Sequence, residues 1–327
     1  MPVDPHEHLR PGLTARPWSR AADGGPDPDE RRRMLDLVLT VERAAIGESD
    51  TATDEIEEMF TGPTTDREAS VIVEEDGDLV GFAWIEFDPS SCESWIDAYA
   101  LPGRADVVDC LLRYATAVAA EHRSSAPEAS EWSLRSGAFA TDEEQAAALE
   151  RAGFERVRRF WRMRIDLTEG VPDPSPLPDG VELVDAHAEP LRRTAYEVQT
   201  TAFHDHWNHS TRPYDEWFAF FDQSHFDPAG WWVLTVDGTP AAVCLLDDSR
   251  RDIAEGYVRS LGVLREFRGR GLARLLLERA FAYYRDRGFV GVQLGVDSDS
   301  PTGANHLYEK VGMRPHRVID AWSLPVR

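Results

Sequence analysis

The sequence predicts an α/β protein (α+β, with mixed sheets) made of two units in tandem, each a central mixed β-sheet flanked by helices. Three observations carry that prediction. Strand-like runs alternate with amphipathic helical stretches along the whole 327-residue chain, the pattern of sheets covered by helices. Two Asp-Gly pairs, Asp76-Gly77 and Asp237-Gly238, each lie between apolar runs, which is a strong hairpin signal. Leu149–Phe154 (LERAGF) also answers Tyr308–Met313 (YEKVGM). Both pairs are offset by about 160 positions, so the order of elements repeats.

In chain order, residues 1–12 are polar and Pro-rich and read as a loose N-terminal tail. A first domain follows over 13–167. Leu13–Pro17 is its first strand. Asp29–Gly47 has helical spacing through Met34, Leu37, Val38, Val41 and Ala45, with Gly47 as the stop. A short acidic helix at Asp54–Phe60 ends before Gly62-Pro63. Strands at Ala69–Glu74 and Leu79–Phe87 flank the first Asp-Gly turn. Then come a strand at Trp95–Leu101, a helix at Val107–His122, a strand at Trp132–Ala138, a helix at Glu143–Ala152 and a closing strand at Arg156–Leu167.

Residues 168–180, TEGVPDPSPLPDG, are rich in proline and acid and read as a linker. The second domain, 181–327, starts the order again. It has a strand at Val181–Val184, helices at Pro190–Thr201 and Tyr214–Phe221, and a hairpin over Trp231–Asp248.

Tyr257–Ala273, YVRSLGVLREFRGRGLA, reads as a strand, a turn and the start of a helix. Gly269 and Gly271 put no side chain between the backbone and an approaching ligand. Open amides at a helix start, with the positive end of its dipole, suit an anion such as pyrophosphate, and Arg268 and Arg270 add charge. The helix ends at Arg287-Gly288, Val290–Val296 is a buried strand, and Gly303–Val311 is a short helix running into Leu307-Tyr308-Glu309-Lys310-Val311-Gly312-Met313.

An RxxGxA turn after a strand, with LYEKxGM about 35 residues later, resembles the GCN5-related N-acetyltransferase (GNAT) family. The resemblance implies two tandem GNAT folds and acetyl-CoA as acyl-donor substrate. By position, Leu261, Gly262 and Val263 would lie along the donor, and Arg268, Gly269, Arg270, Gly271, Leu272 and Ala273 would hold its pyrophosphate. Tyr308 would protonate the departing thiolate. The sequence departs from the family at Pro301, where many members carry an Asn that touches the CoA arm.

The first copy is unequal. Its corresponding turn, Tyr99–Asp106 (YALPGRAD), has no second glycine at the helix start, and Leu149 stands at the tyrosine position. The first domain therefore reads as a degenerate copy with a structural part.

For the acceptor, Asp205, His206 and Trp207, followed by Trp217, lie between the first two helices of the second domain, beside the acceptor cleft of a GNAT fold. FxDHW followed by Glu216-Trp217 resembles a tandem branch of the family that includes mycothiol synthase-like proteins. An aspartate beside aromatic rings suits an amine, and packing of the helix pair explains the tryptophans equally well. Glu255, at the start of the central strand, two residues upstream of the usual carboxylate but on its face, is a candidate base acting through water, and His206 and Asp205 are the other candidates.

Composition narrows the function. The net charge of −24 excludes non-specific binding to nucleic acid, which rests on phosphate neutralisation. Lys310 is the single lysine, so the positive charge is arginine. The three cysteines, Cys92, Cys110 and Cys244, are scattered and suggest neither a disulfide framework nor a zinc site. With no apolar run of membrane-spanning length and no signal peptide at the start, the expectation is a cytoplasmic protein that does not contact membrane. It would be a monomer or homodimer that needs no metal. The reading is direct acetyl transfer from acetyl-CoA to a primary amine of a small molecule. An acyl-CoA-binding sensor and an aminoacyl-tRNA-dependent transferase of related fold are the alternatives.

Overall fold

The computed structural model describes residues 3–22, 24–126, 131–168, 170–204, 211–221, 228–299 and 303–326. The first repeat runs β1 (Leu13–Pro17), α1 (Pro28–Ile46), α2 (Thr53–Thr61), β2 (Val71–Glu75), β3 (Asp78–Asp88), β4 (Glu93–Ala100), α3 (Ala105–Ser125), β5 (Trp132–Phe139), α4 (Glu143–Arg151) and β6 (Glu155–Asp166). The second has the same succession: β7 (Val181–Asp185), α5 (Leu191–Phe203), α6 (Tyr214–Ala219), β8 (Trp231–Val236), β9 (Thr239–Asp247), β10 (Glu255–Val263), α7 (Leu272–Asp286), β11 (Gly291–Asp297), α8 (Ala304–Lys310) and β12 (Arg314–Val326). The mixed sheets and flanking helices are those of the predicted fold class.

Local chemistry explains the boundaries. The Asp27 carboxylate accepts from the Asp29 and Glu30 amides at the start of α1, and Gly47 ends it in the left-handed region at φ 82°. Asp76 and Gly77 have φ of 53° and 89°, and Asp237 and Gly238 have 49° and 77°. Both central residues at positive φ match the right-handed twist of the hairpin strands.

The chain divides into two compact units, Met1–Phe160 with Val318–Arg327, and Trp161–Arg317. This differs from a boundary at 168–180. The first unit completes its sheet with β12, which pairs antiparallel with β5 from Ile319↔Phe139 to Val326↔Trp132. In the second unit, the Leu167 amide donates to Val290 O at 2.9 Å. The strand that closes each sheet is thus not the one that its own repeat supplies. The sequence pattern shows no strand after Met313.

Two segments expected to be loose are docked. Asp4 caps a turn of 3₁₀ helix at Pro5–His8, Val3 and Leu9 pack on the first core, and Arg10 pairs with Asp106 and Glu75. Within 168–180, Val171 and Leu177 pack on the second core. Arg285 Nη1 donates to Val171 O at 3.1 Å, Arg279 Nη2 donates to Ser175 O at 2.9 Å, and the Ser175 amide donates to Glu278 Oε2 at 2.9 Å. Proline removes amides but leaves carbonyls, which the arginines of α7 satisfy.

In the second unit both sheet faces are buried. Leu234, Cys244, Leu246, Val258 and Leu294 pack with Leu276 and Phe281 of α7. On the other face Trp231, Val233, Val243 and Leu245 pack with Val198 of α5 and Trp217 of α6. Alternation along β8 and β9 produces the two sets.

Candidate functional site

The site is built where two neighbouring strands part. β10 and β11 pair in parallel only from Glu255↔Gly291 to Tyr257↔Gln293, although β10 continues to Val263 and β11 to Asp297. On its other side β10 stays paired with β9, but the register jumps from Val258↔Leu246 to Ser260↔Leu245, leaving Arg259 as a bulge. A bulge bends its strand, and here it lies where β10 leaves β11.

The turn after β10 leads straight to the N-terminus of α7. Gly269 and Gly271 have φ of 77° and 79°, and a Cβ built on either would meet nothing within 4 Å. Gly271 is the N-cap without side-chain capping, and the first turn holds no acid. Leu275 donates to Gly271 O at 3.1 Å, so the Leu272, Ala273 and Arg274 amides have no acceptor within the helix. Bare amides, open space and a dipole end suit an anion.

The two arginines of the turn differ. Arg268 Nε donates to Val263 O at 3.1 Å and its Nη2 to Ala202 O at 3.3 Å. It therefore braces the loop against α5. The Arg270 guanidinium lies 5.2 Å from the centre of the Phe267 ring. Gly262 is needed for close packing: a Cβ there would come within 2.9 Å of Ala202 Cβ and 3.2 Å of Phe203 Cε2.

Tyr308, on α8, is 7% exposed and belongs to the same apolar cluster as Leu272, with Leu261 and Val263 packed against it. Its phenol is pushed above the ordinary tyrosine range, first by burial and then by Cys244 and Tyr257 nearby. It therefore holds its proton at neutral pH. Tyr308 thus shares one apolar cluster with Leu261, Val263, Phe267 and Leu272.

Glu255 is placed otherwise. It is buried, and its Oε1 accepts from Arg164 Nε at 3.1 Å and Nη2 at 2.7 Å. With Oε1 engaged by Arg164, its geometry is that of an ion-pair partner. Trp217 is a packing residue: its ring lies 5.6 Å from Trp231 and 4.9 Å from Phe221, and its indole N–H donates to Gln199 Oε1 at 2.7 Å. Asp205, His206, Trp207 and Pro301 lie outside the described residues. The sequence pattern shows Tyr257 only as a strand residue and does not reveal its place in the site. Its hydroxyl lies 3.2 Å from where a Cβ on Gly295 would be, at the mouth of the gap.

The first unit offers a contrast. Asp106 occupies the first turn of α3. Its carboxyl is held down at about 2 by a hydrogen bond from Arg104, with burial opposing and Arg10 assisting. The Gly103 amide donates to Glu144 Oε2 at 3.3 Å. This helix start already faces carboxylates, which repel a phosphate, and Leu149 is fully buried.

Comparison with known proteins gives the family and the fold. The family described as acetyltransferase (GNAT) family matches residues 192–313. The mycothiol acetyltransferase of Thermomonospora curvata is 31% identical over 264 residues, covering 79% of this chain and 83% of that protein. That of Thermobispora bispora is 34% identical over 175 residues, covering 51% of this chain and 58% of that protein. Against this relative and those of Beutenbergia cavernae and Salinispora tropica, the chain spans 58–63% of the relative's length. A GCN5-related N-acetyltransferase from Sphaerobacter thermophilus superposes with TM-score 0.81 at 24% identity, covering 98% of this chain and 97% of that one. A tandem GNAT protein from the clavulanic acid biosynthesis pathway gives 0.70 at 17% identity, over 96% and 99%. These two likenesses concern the fold.

Proposed function

The chain belongs to the acetyltransferase (GNAT) family, and on that premise we propose that it transfers acetyl from acetyl-CoA directly to a primary amine of a small molecule. The observation that carries this reading is the gap between β10 and β11, which opens beside the bare N-terminus of α7 and the buried Tyr308. A donor with a pyrophosphate and a long, narrow arm fits those three features together. The names of the relatives make a cysteinyl sugar the first acceptor to try.

In this reading the Leu272 and Ala273 amides hold the pyrophosphate, Gly269 and Gly271 give it room, and Arg268 fixes the loop. The acceptor nitrogen attacks the thioester carbon, the C–S bond breaks, and the amine releases a proton to water, from which Tyr308 is later re-protonated. Tyr308 gives its proton to the departing sulfur. Backbone amides of β10 around Gly262-Val263 take up charge on the carbonyl oxygen. The first unit is a structural partner.

Calorimetric titration of acetyl-CoA into the wild-type protein and a Gly271→Glu variant tests this reading. Binding at one site per chain, lost in the variant, is expected. The absence of binding to the wild-type protein would overturn it, and binding without transfer to any amine would favour a sensor.

A further inference from the structure

The sheet face at the mouth of the gap carries an uncommon arrangement of polar groups. Gln293 is 1% exposed, and its Oε1 has no hydrogen-bond partner. It occupies the last paired rung, opposite Tyr257. Val292, Leu294 and Val296 of β11 point into the core beneath α7, so by alternation Gln293 and Gly295 point to the opposite face. Tyr257 is on that face too, its hydroxyl beside Gly295. Two further buried oxygens without partners lie on the same strand, Ser260 Oγ just after the bulge and Glu255 Oε2. The charged groups of this face are matched in pairs, Arg164 with Glu255 and Arg259 with Asp247.

Buried polar atoms are normally satisfied, and each that is not calls for an explanation. Gln293 Oε1 and Glu255 Oε2 can only accept a hydrogen bond, so the partner they lack is a donor. An amine nitrogen supplies several N–H donors.

We propose that Gln293 receives an N–H of the acceptor amine and positions its nitrogen at the gap, with the Tyr257 hydroxyl beside it. This rests on the acetyl-transfer reading above. A neutral amide suits that role, because it orients the amine without fixing it as an ammonium ion, whose nitrogen has no lone pair for attack. The acceptor class is thus a small primary amine that enters from the α5–α6 face as the free base.

The test uses the full-length protein, with cysteamine, glucosamine and cysteinyl-glucosamine as acceptors and thiol release from acetyl-CoA as the readout. Gln293→Leu removes the amide at similar volume, and Gln293→Glu keeps the acceptor oxygens. With Gln293→Leu, the acceptor KM rises at least tenfold, acetyl-CoA affinity is unchanged, and thermal stability holds or increases because a buried atom without a partner has gone. Gln293→Glu keeps the acceptor KM within a few-fold of wild type but lowers kcat, because a carboxylate holds the amine as an ammonium ion. An unchanged acceptor KM in Gln293→Leu, or equal losses in both variants together with a lower melting temperature, would overturn the assignment in favour of a structural part. Failure of the wild-type protein to transfer acetyl to any of these amines, or to bind acetyl-CoA, would instead overturn the parent reading and this inference with it.

Discussion

The ring of Tyr284 lies flat against the backbone of Gly256: a Cβ built there would come within 2.5 Å of the Cγ and Cδ2 atoms of that ring. The Tyr284 hydroxyl donates to Asp247 O at 2.8 Å and accepts from the Asp247 amide at 3.2 Å. One side chain thus ties β9 to β10 just before the bulge. Gly256→Ala should lower stability by about 1–3 kcal/mol, the scale of overpacking a core. Denaturant unfolding measures it, and a change below about 0.5 kcal/mol would show that the ring moves aside freely.

Tyr308→Phe keeps the buried ring and removes the proton. In the proposed mechanism kcat falls about 100-fold or more, the scale of one general acid, while calorimetric affinity for acetyl-CoA stays the same. An unchanged kcat would take the tyrosine out of the chemistry.

Alkaline pH should destabilise the fold. Burial raises the pKa of Cys244, Tyr114, Tyr284 and Tyr308, with nearby charges adding to it for the tyrosines. A raised pKa means that the native state keeps protons which the unfolded chain releases. The contribution is full below the unfolded values and is lost above them, starting near pH 8.5 for the thiol and 10 for the phenols, at about 1.4 kcal/mol per pH unit for each group. Melting temperatures from pH 7 to 11 should fall with increasing slope. Cys244→Ala should remove the earliest part of the decline.

Asp97 on β4 works in the same sense at lower pH. Burial pushes its carboxyl up to about 6, with the Trp95 indole N–H opposing. The folded state therefore favours the protonated form, and stability is lost as pH rises from about 4 to 6. Asp97→Asn should stabilise the protein at pH 7 by about 2–3 kcal/mol and make no difference below pH 4. Equal stability of variant and wild type at both pH values would refute this.

Much of this architecture was legible. Helical periodicity, two Asp-Gly turns and glycine stops are local signals, and each produced its element within a few residues. The turn at Arg268–Ala273 and Tyr308 were legible because local motifs carry them. β12 was not, because Pro315 and Pro325 interrupt it and its partner β5 is far away in sequence. Proline-rich composition suggested looseness at 1–12 and 168–180, whereas docking depends on arginines contributed by distant elements. Pairing of Glu255 with Arg164 joins residues 91 positions apart, which alternation along one strand does not reveal. Gln293 looked like any strand residue, and only the loss of pairing beyond it shows its place.

The exchange of closing strands bears on biosynthesis. Trp322 and Val326 belong to the apolar cluster of the first unit, although they are translated after the entire second unit. A nascent chain can therefore form β1 to β5 early, but their sheet keeps an open edge until residue 326 has left the ribosome. An open edge invites pairing with other chains. The order of synthesis and the order of completion are reversed here: the unit with the bare helix start has all its strands first, and the older half waits for the last.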